Sequence, residues 1–102
     1  MARFVTVARE ADFPRNGRRT LVAAGRALAV FRVAGVYYAV EDVCPHSGGP
    51  LAGGPIRGGL LTCPWHGWSF DLATGVCTLI AAAKLKTFPV SVEEGDVRVR
   101  LD

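Results

Sequence analysis

The sequence predicts an all-β protein, a small antiparallel sandwich or barrel built from short strands. Twelve Gly and six Pro leave few uninterrupted stretches for helices. Short apolar runs recur between turn-forming residues. In the last run Val97, Val99 and Leu101 alternate with Arg98 and Arg100, which is typical of a half-buried strand. Several short strands joined by frequent turns favour a sandwich or a barrel.

The turn-forming residues divide the chain into its expected elements. Ala8–Phe13 is expected to form a helical turn, and Ile80–Leu85 is compatible with either helix or strand. Asn16-Gly17 indicates a turn that joins strands, and Glu93–Asp96 indicates a hairpin. Apolar and β-branched runs predict strands at Phe4–Ala8, Thr20–Ala24, Ala27–Val33, Val36–Val40, Gly59–Thr62, Phe88–Val92 and Val97–Leu101.

Length and composition indicate one domain over residues 1–102, half of whose residues are apolar. The net charge of +3 is uneven, because residues 1–40 carry seven Arg against two acidic residues. These Arg are scattered through strands and turns instead of clustering with aromatic residues, so no nucleic-acid partner is expected. No apolar run has signal-peptide or membrane-spanning length. We therefore expect a soluble, cytoplasmic protein without a membrane partner.

Two Gly- and Pro-rich loops carry the residues with distinctive chemistry. The first loop contains Cys44-Pro-His46 and the second contains Cys63-Pro-Trp-His66. The chain has only two His, and both lie within three residues of one of these Cys. Each loop thus offers one thiolate and one imidazole, and in a reducing compartment such residues indicate metal binding before disulfides.

Two simpler interpretations remain open for these four residues. Two Cys and two His suit a tetrahedral zinc ion, and a Cys44–Cys63 disulfide is possible in an oxidising compartment. The tight C-x-H spacing speaks against a single zinc ion, because zinc-binding Cys pairs usually lie about two to four residues apart. It suits two ligands that reach adjacent metal ions.

The paired motif resembles that of Rieske proteins, in which two His replace two Cys on one iron of a [2Fe–2S] cluster. The resemblance implies one such cluster, with Cys44 and Cys63 on the inner iron and His46 and His66 on the outer iron. It also implies that the cluster-binding loops, about 43–52 and 62–71, lie at one tip of a small antiparallel sandwich. The further matching segments are Gly67–Asp71, Thr74-Gly75, Phe88–Val90 and Glu94–Asp96.

The same resemblance implies a soluble ferredoxin, a one-electron carrier without a catalytic site of its own. Such a carrier takes electrons from a flavoprotein reductase and delivers them to an oxygenase or another terminal enzyme. An oxygenase catalytic subunit is not expected, because both His are committed and a 2-His-1-carboxylate iron site needs two more. The first alternative is a small Rieske subunit of an NAD(P)H-dependent nitrite reductase, and the second is a zinc or redox-sensing module.

Two residues near the pattern have less specific expectations. Cys77 lies outside the motif and is expected to be a buried structural cysteine. Leu51, at the end of the first loop, suits ordinary loop packing as well as a cap over the cluster.

We predict a reduction potential in the lower part of the Rieske range of roughly −150 to +300 mV. High-potential members of the family pair extra Cys across the loops and donate Ser and Tyr hydrogen bonds to the cluster. Here the matching positions are occupied by Gly49, Trp65, Trp68 and Phe70, which supply neither. With fewer donors the reduced state is less stabilised. A redox titration measures this, and a midpoint well above about +100 mV would contradict it.

Overall fold

The computed structural model describes residues 4–43, 51, 53–63, 67–79 and 83–101. Within these residues the regular structure consists of strands and one 3₁₀ turn, Glu10–Asp12, and no helix there is long and apolar enough to cross a bilayer. The strands are β1 (Phe4–Arg9), β2 (Gly17–Ala23), β3 (Arg26–Val33), β4 (Val36–Glu41), β5 (Ile56–Arg57), β6 (Leu60–Thr62), β7 (Ser69–Asp71), β8 (Thr87–Phe88), β9 (Val90–Glu93) and β10 (Asp96–Arg100).

The strands form three antiparallel sheets. Their strand orders are β1-β10-β9, β2-β3-β4-β8 and β5-β6-β7. The predicted all-β, antiparallel fold is confirmed. Over the described ranges it takes the form of open sheets packed on one another and not of a closed barrel.

The four-stranded sheet is the central layer, because alternate residues of β3 contribute to two separate apolar cores. Leu28 and Val30 belong to the core that contains Val97 and Val99 of β10. Ala29 and Phe31, which point the other way, belong to the core that contains residues of β6 and β7. Each of these four β3 side chains has no solvent exposure. Burying a side chain as large as Phe31 stabilises the fold by roughly 1.5–3 kcal/mol, so β3 holds both outer sheets in place.

Tyr37 on β4 lies at the edge of the core shared with β10. Its ring meets Phe13 edge-on at a centroid distance of 5.3 Å, and the guanidinium carbon of Arg32 lies 5.1 Å from its ring centroid. Burial raises the pKa of Tyr37, and the charge of Glu10 adds to that rise while Arg32 opposes it. The contacts tie the segment after β1 to the central sheet.

In the described part of the chain, four hairpins are closed by two-residue turns in which both residues have positive φ. This geometry is that of the type I′ turn, whose twist matches that of the flanking strands. Gly at the second position tolerates it without strain, whereas Ala24 and Ala34 adopt it at the first position with φ of 51° and 50°. The four turns are Ala24-Gly25, Ala34-Gly35, Gly58-Gly59 and Glu94-Gly95.

Several predicted elements are confirmed and others differ. The helical turn appears as Glu10–Asp12, and the predicted strand Gly59–Thr62 begins one residue later as β6. Strands β5 and β7 were not predicted, so the second loop proposed at 62–71 includes a strand at its end. Residues 80–82 of the ambiguous segment lie outside the described residues.

The turn predicted at Asn16-Gly17 is present, but it does not close a hairpin. Gly17 is the first residue of β2, and β1 and β2 belong to different sheets. A Cβ at position 17 would lie 2.6 Å from the Pro14 ring, which explains the Gly. The Asn16 side-chain oxygen instead accepts a hydrogen bond of 2.8 Å from the N–H of Ala34.

We expect Ala24→Asn to stabilise the protein by about 0.5–1 kcal/mol. The left-handed conformation costs Ala about 1–2 kcal/mol, and Asn tolerates it better. Urea unfolding followed by circular dichroism measures the gain. Ala27→Asn is the matched control, because Ala27 is also exposed but lies on extended β3. Equal effects at both positions would show that the turn conformation is not the cause.

Candidate metal centre

The small sheet β5-β6-β7 supports the second predicted ligand loop. Leu61 of β6 pairs with Phe70 of β7, and both side chains are fully buried against the central sheet. The Thr62 and Ser69 hydroxyls, 2.9 Å apart, share a hydrogen bond across the same two strands. This sheet therefore fixes the two chain segments from which the loop leaves and to which it returns.

Cys63 lies at the base of that loop, directly after β6. Its N–H donates to the Trp68 carbonyl oxygen at 2.7 Å, and its own carbonyl oxygen accepts from the N–H of Gly67 at 3.0 Å. Gly67 adopts a φ of +75°, a conformation that L side chains rarely take. These hydrogen bonds fix the Cys63 backbone between β6 and Gly67.

The Cys63 side chain has no solvent exposure and belongs to an apolar core. Leu51, at the end of the first loop, belongs to the same core and is also fully buried. The ends of the two loops therefore meet in one water-free region. A buried cysteine sulfur is a soft donor of the kind that binds iron–sulfur clusters.

The first loop is closed by the side chain of Asp42, which follows β4. Asp42 Oδ1 accepts a hydrogen bond of 2.7 Å from the N–H of Leu51. The Asp42 N–H donates to the Ala27 carbonyl oxygen of β3 at 2.9 Å. Leu51 is thus tied through Asp42 to Ala27 of the central sheet.

The segment after β7 is anchored by the motif residues Asp71, Thr74 and Gly75. Asp71 Oδ1 accepts hydrogen bonds from the N–H groups of Ala73 at 2.8 Å and Thr74 at 3.2 Å. Gly75 adopts a φ of +81°, and a Cβ there would lie 2.3 Å from the Leu85 carbonyl oxygen. The chain therefore passes Leu85 at a distance that only Gly allows.

Three residues singled out from the sequence lie in the described part of the chain. Cys63 lies at a loop base, and its role as a ligand stays a prediction. Cys77 is a buried free cysteine with 2% exposure, as predicted for a structural residue. Leu51 is buried in the core, which agrees with loop packing. The other proposed ligands, Cys44, His46 and His66, lie outside the described residues.

Sequence reasoning missed Asp42 and Gly54. The carboxylate just before the Cys44 loop was a usable signal, because Asp commonly accepts backbone hydrogen bonds in turns. Gly54 gave no such signal. A Cβ at position 54 would lie 2.0 Å from the Thr62 carbonyl oxygen, a contact that only the folded chain creates.

The three antiparallel sheets, with the buried Cys63 at the base of a loop, are typical of small β proteins that place their functional residues on loops. The chain belongs to the Rieske [2Fe–2S] domain family, whose sequence model matches residues 3–89. The family carries one [2Fe–2S] cluster, so the predicted family and cofactor are confirmed.

Individual relatives agree with this assignment. The chain is 35% identical over 83 residues to the ferredoxin component of the p-cumate 2,3-dioxygenase system of Pseudomonas putida, which covers 79% of this chain and 70% of that protein. It is similar to a chain of the complex of reduced oxygenase and oxidised ferredoxin in carbazole 1,9a-dioxygenase. That match has a TM-score of 0.86 at 33% identity and covers 95% of this chain and 92% of that chain.

The same fold also occurs in a protein that is not described as a dioxygenase ferredoxin. A solved structure described as an NADH-dependent nitrite reductase small subunit from Mycobacterium tuberculosis matches with a TM-score of 0.89. The match covers 100% of this chain and 97% of that chain at 24% identity. At this identity the similarity shows a common fold only.

We expect Asp42→Ala to weaken retention of the cluster, because it leaves the Leu51 N–H without its acceptor at a cost of about 1–3 kcal/mol. Asp42→Asn keeps an acceptor oxygen and should retain the cluster within about twofold of wild type. The measurement is iron per protein after incubation at 37 °C, together with the rate at which the visible absorbance bleaches. Equal losses in both variants would assign the effect to charge and not to the hydrogen bond.

Proposed function

We propose that this chain is a Rieske-type ferredoxin, a one-electron carrier between a flavoprotein reductase and a terminal oxygenase. In this proposal Cys44, His46, Cys63 and His66 hold the [2Fe–2S] cluster. The protein works in the cytoplasm and has no catalytic site of its own. The observation that carries the proposal is the buried Cys63 thiol at the closed base of the second loop.

The donor set explains how the chain suits this task. When bound, the cluster accepts and releases a single electron. Two thiolates and two neutral imidazoles leave the oxidised site without net charge, whereas four thiolates would leave it at −2. An added electron is therefore less unfavourable here than in an all-Cys site, and Rieske potentials lie above the roughly −400 mV of plant-type ferredoxins.

The His ligands raise the reduction potential, whereas the apolar surroundings of Cys63 lower it. Leu51, Leu61 and Phe70 share its core and have no solvent exposure. Apolar surroundings disfavour added negative charge, so they lower the potential within the Rieske range. They also exclude water from the inner thiolate, which protects a metal–sulfur bond from hydrolysis. The proposed site thereby combines His ligands with an apolar core that excludes water from Cys63.

A free carrier is favoured over a permanent subunit by the comparison with the p-cumate dioxygenase ferredoxin component. That similarity reaches 35% identity. The nitrite reductase small subunit shares the fold at only 24% identity. Size-exclusion chromatography of the native protein separates the two functions. A small species that exchanges electrons with a reductase supports the carrier, and a persistent large complex supports the subunit.

The ligand set is tested by two buried cysteines of the same core. We expect Cys63→Ala to abolish binding of both iron atoms and of acid-labile sulfide, because no other thiolate occupies its position. Cys77→Ala is the matched control, since Cys77 is equally buried but lies outside the motif. It should keep full iron content while losing roughly 1 kcal/mol of stability from the small cavity.

The same ligand set is tested at the outer iron with His46→Cys. Replacing an imidazole by a thiolate should shift the EPR spectrum of the dithionite-reduced protein and move the midpoint toward roughly −400 mV. A titration slope near 59 mV per decade shows transfer of one electron. Wild-type protein prepared anaerobically with iron that contains zinc alone, or no metal, would refute the proposed function.

A further inference from the structure

The Arg18 side chain on β2 connects the central sheet to the segment between the two ligand loops. Its Nη1 donates a hydrogen bond to the Gly54 carbonyl oxygen. Its guanidinium carbon lies 5.4 Å from the centroid of the Phe31 ring on the neighbouring strand β3. A guanidinium held over an aromatic ring is oriented as well as attracted. Arg18 therefore presents a positioned donor to Gly54.

Gly54 contacts a residue beside each ligand loop, Leu51 and Thr62. Its N–H donates to the Leu51 carbonyl oxygen at 2.9 Å, which ties it to the end of the first loop. Its Cα packs directly against the Thr62 carbonyl oxygen, so closely that a Cβ would lie 2.0 Å from that atom. Thr62 immediately precedes Cys63. A displacement of Gly54 therefore acts on both loops.

A second hydrogen bond strengthens this connection. The N–H of Thr62 donates to the Pro55 carbonyl oxygen at 3.0 Å, in the residue that follows Gly54. The segment 53–55 is thus attached to the first loop through Leu51 and to the second loop through Thr62. Arg18 is a charged side chain that fixes this segment from the opposite sheet, across 36 residues of sequence.

We propose that Arg18 is a positioning residue for the cluster: its contact with Gly54 sets the separation of the two ligand loops. This inference rests on the proposed role of Cys63 as a ligand. A hydrogen bond from a charged donor is roughly twice as strong as a neutral one. Lys would keep the charge, but it lacks the planar donor group that can stack on Phe31 and bind the carbonyl oxygen together.

The neighbouring Arg19 provides a matched control. Successive residues of a strand point to opposite faces, and Arg19 pairs in register with Val30, which belongs to the other core. Its side chain is half exposed and lies 4.0 Å from Asp12. Removing Arg19 therefore changes the net charge by the same amount as removing Arg18 without affecting Gly54.

The experiment compares Arg18→Met, Arg18→Lys and Arg19→Met as cluster-loaded proteins. Two rates are measured: the loss of visible absorbance at fixed temperature, and deuterium uptake by peptides that cover residues 51–63. We expect Arg18→Met to lose the cluster about tenfold faster than wild type, in line with other residues that support metal ligands. Its uptake in residues 51–63 should rise, and the EPR lines of the reduced protein should broaden.

The rate of cluster loss in Arg18→Lys should lie between the rates in Arg18→Met and wild type. The rate in Arg19→Met should stay within about twofold of wild type. If Arg18→Met fails to fold, the rates of cluster loss and deuterium uptake in Arg18→Lys test the inference instead. Equal effects of Arg18→Met and Arg19→Met would overturn the inference in favour of net charge. A lower melting temperature in Arg18→Met, with unchanged cluster loss and unchanged deuterium uptake in residues 51–63, would show that Arg18 contributes only to general stability.

These outcomes are separable from failure of the proposed function. Wild-type protein without iron and sulfide would refute the cluster itself. In that case deuterium uptake by residues 51–63 in Arg18→Met still decides whether Arg18 fixes the segment. A loaded wild-type protein with an unaffected Arg18→Met variant would refute the positioning role alone.

Discussion

The burial of β3 on both faces is the constraint on which the rest of the structure depends. Its alternate side chains enter two different apolar cores, one shared with the sheet of β1, β9 and β10 and the other with the small sheet of β5–β7. A single strand thus sets the positions of both outer layers. The small sheet has only two or three residues per strand, which is too short to be stable without such support.

This arrangement positions the described residues at the ends of the two loops. Cys63 is held by backbone hydrogen bonds at the end of β6, and Leu51 is held by Asp42 at the end of β4. Each loop is therefore anchored to a different sheet, and the core between those sheets brings the anchors together. This suits a carrier, because a cluster whose ligands move little on reduction exchanges electrons with little reorganisation.

The sequence predicted the parts of the fold that local patterns determine. The Glu93–Asp96 hairpin and the β3 and β4 strands have clear apolar patterns and turn residues, and the structure contains them. Strands β5 and β7 escaped prediction because two or three residues cannot display an alternation, and their pairing arises from the tertiary fold. The Cys and His of the candidate site could be predicted because their signal is local: it is their spacing in the sequence.

The supporting residues of the site were not predictable in the same way. Arg18 and Gly54 are 36 residues apart, and nothing in the sequence near either residue indicates the other. The contact of Gly54 with Thr62 likewise exists only once β5 and β6 have paired. Residues that bind a metal can be found from their chemistry, whereas those that orient its loops depend on contacts between distant segments.

The hydrogen bond from Leu51 to Asp42 is made by residues that lie outside the Cys-x-His pattern. Substitutions within the pattern therefore leave this support, and its connection to β3 through Ala27, in place. A graded series of donor sets can thus be installed on one support, and differences within it attributed to coordination chemistry.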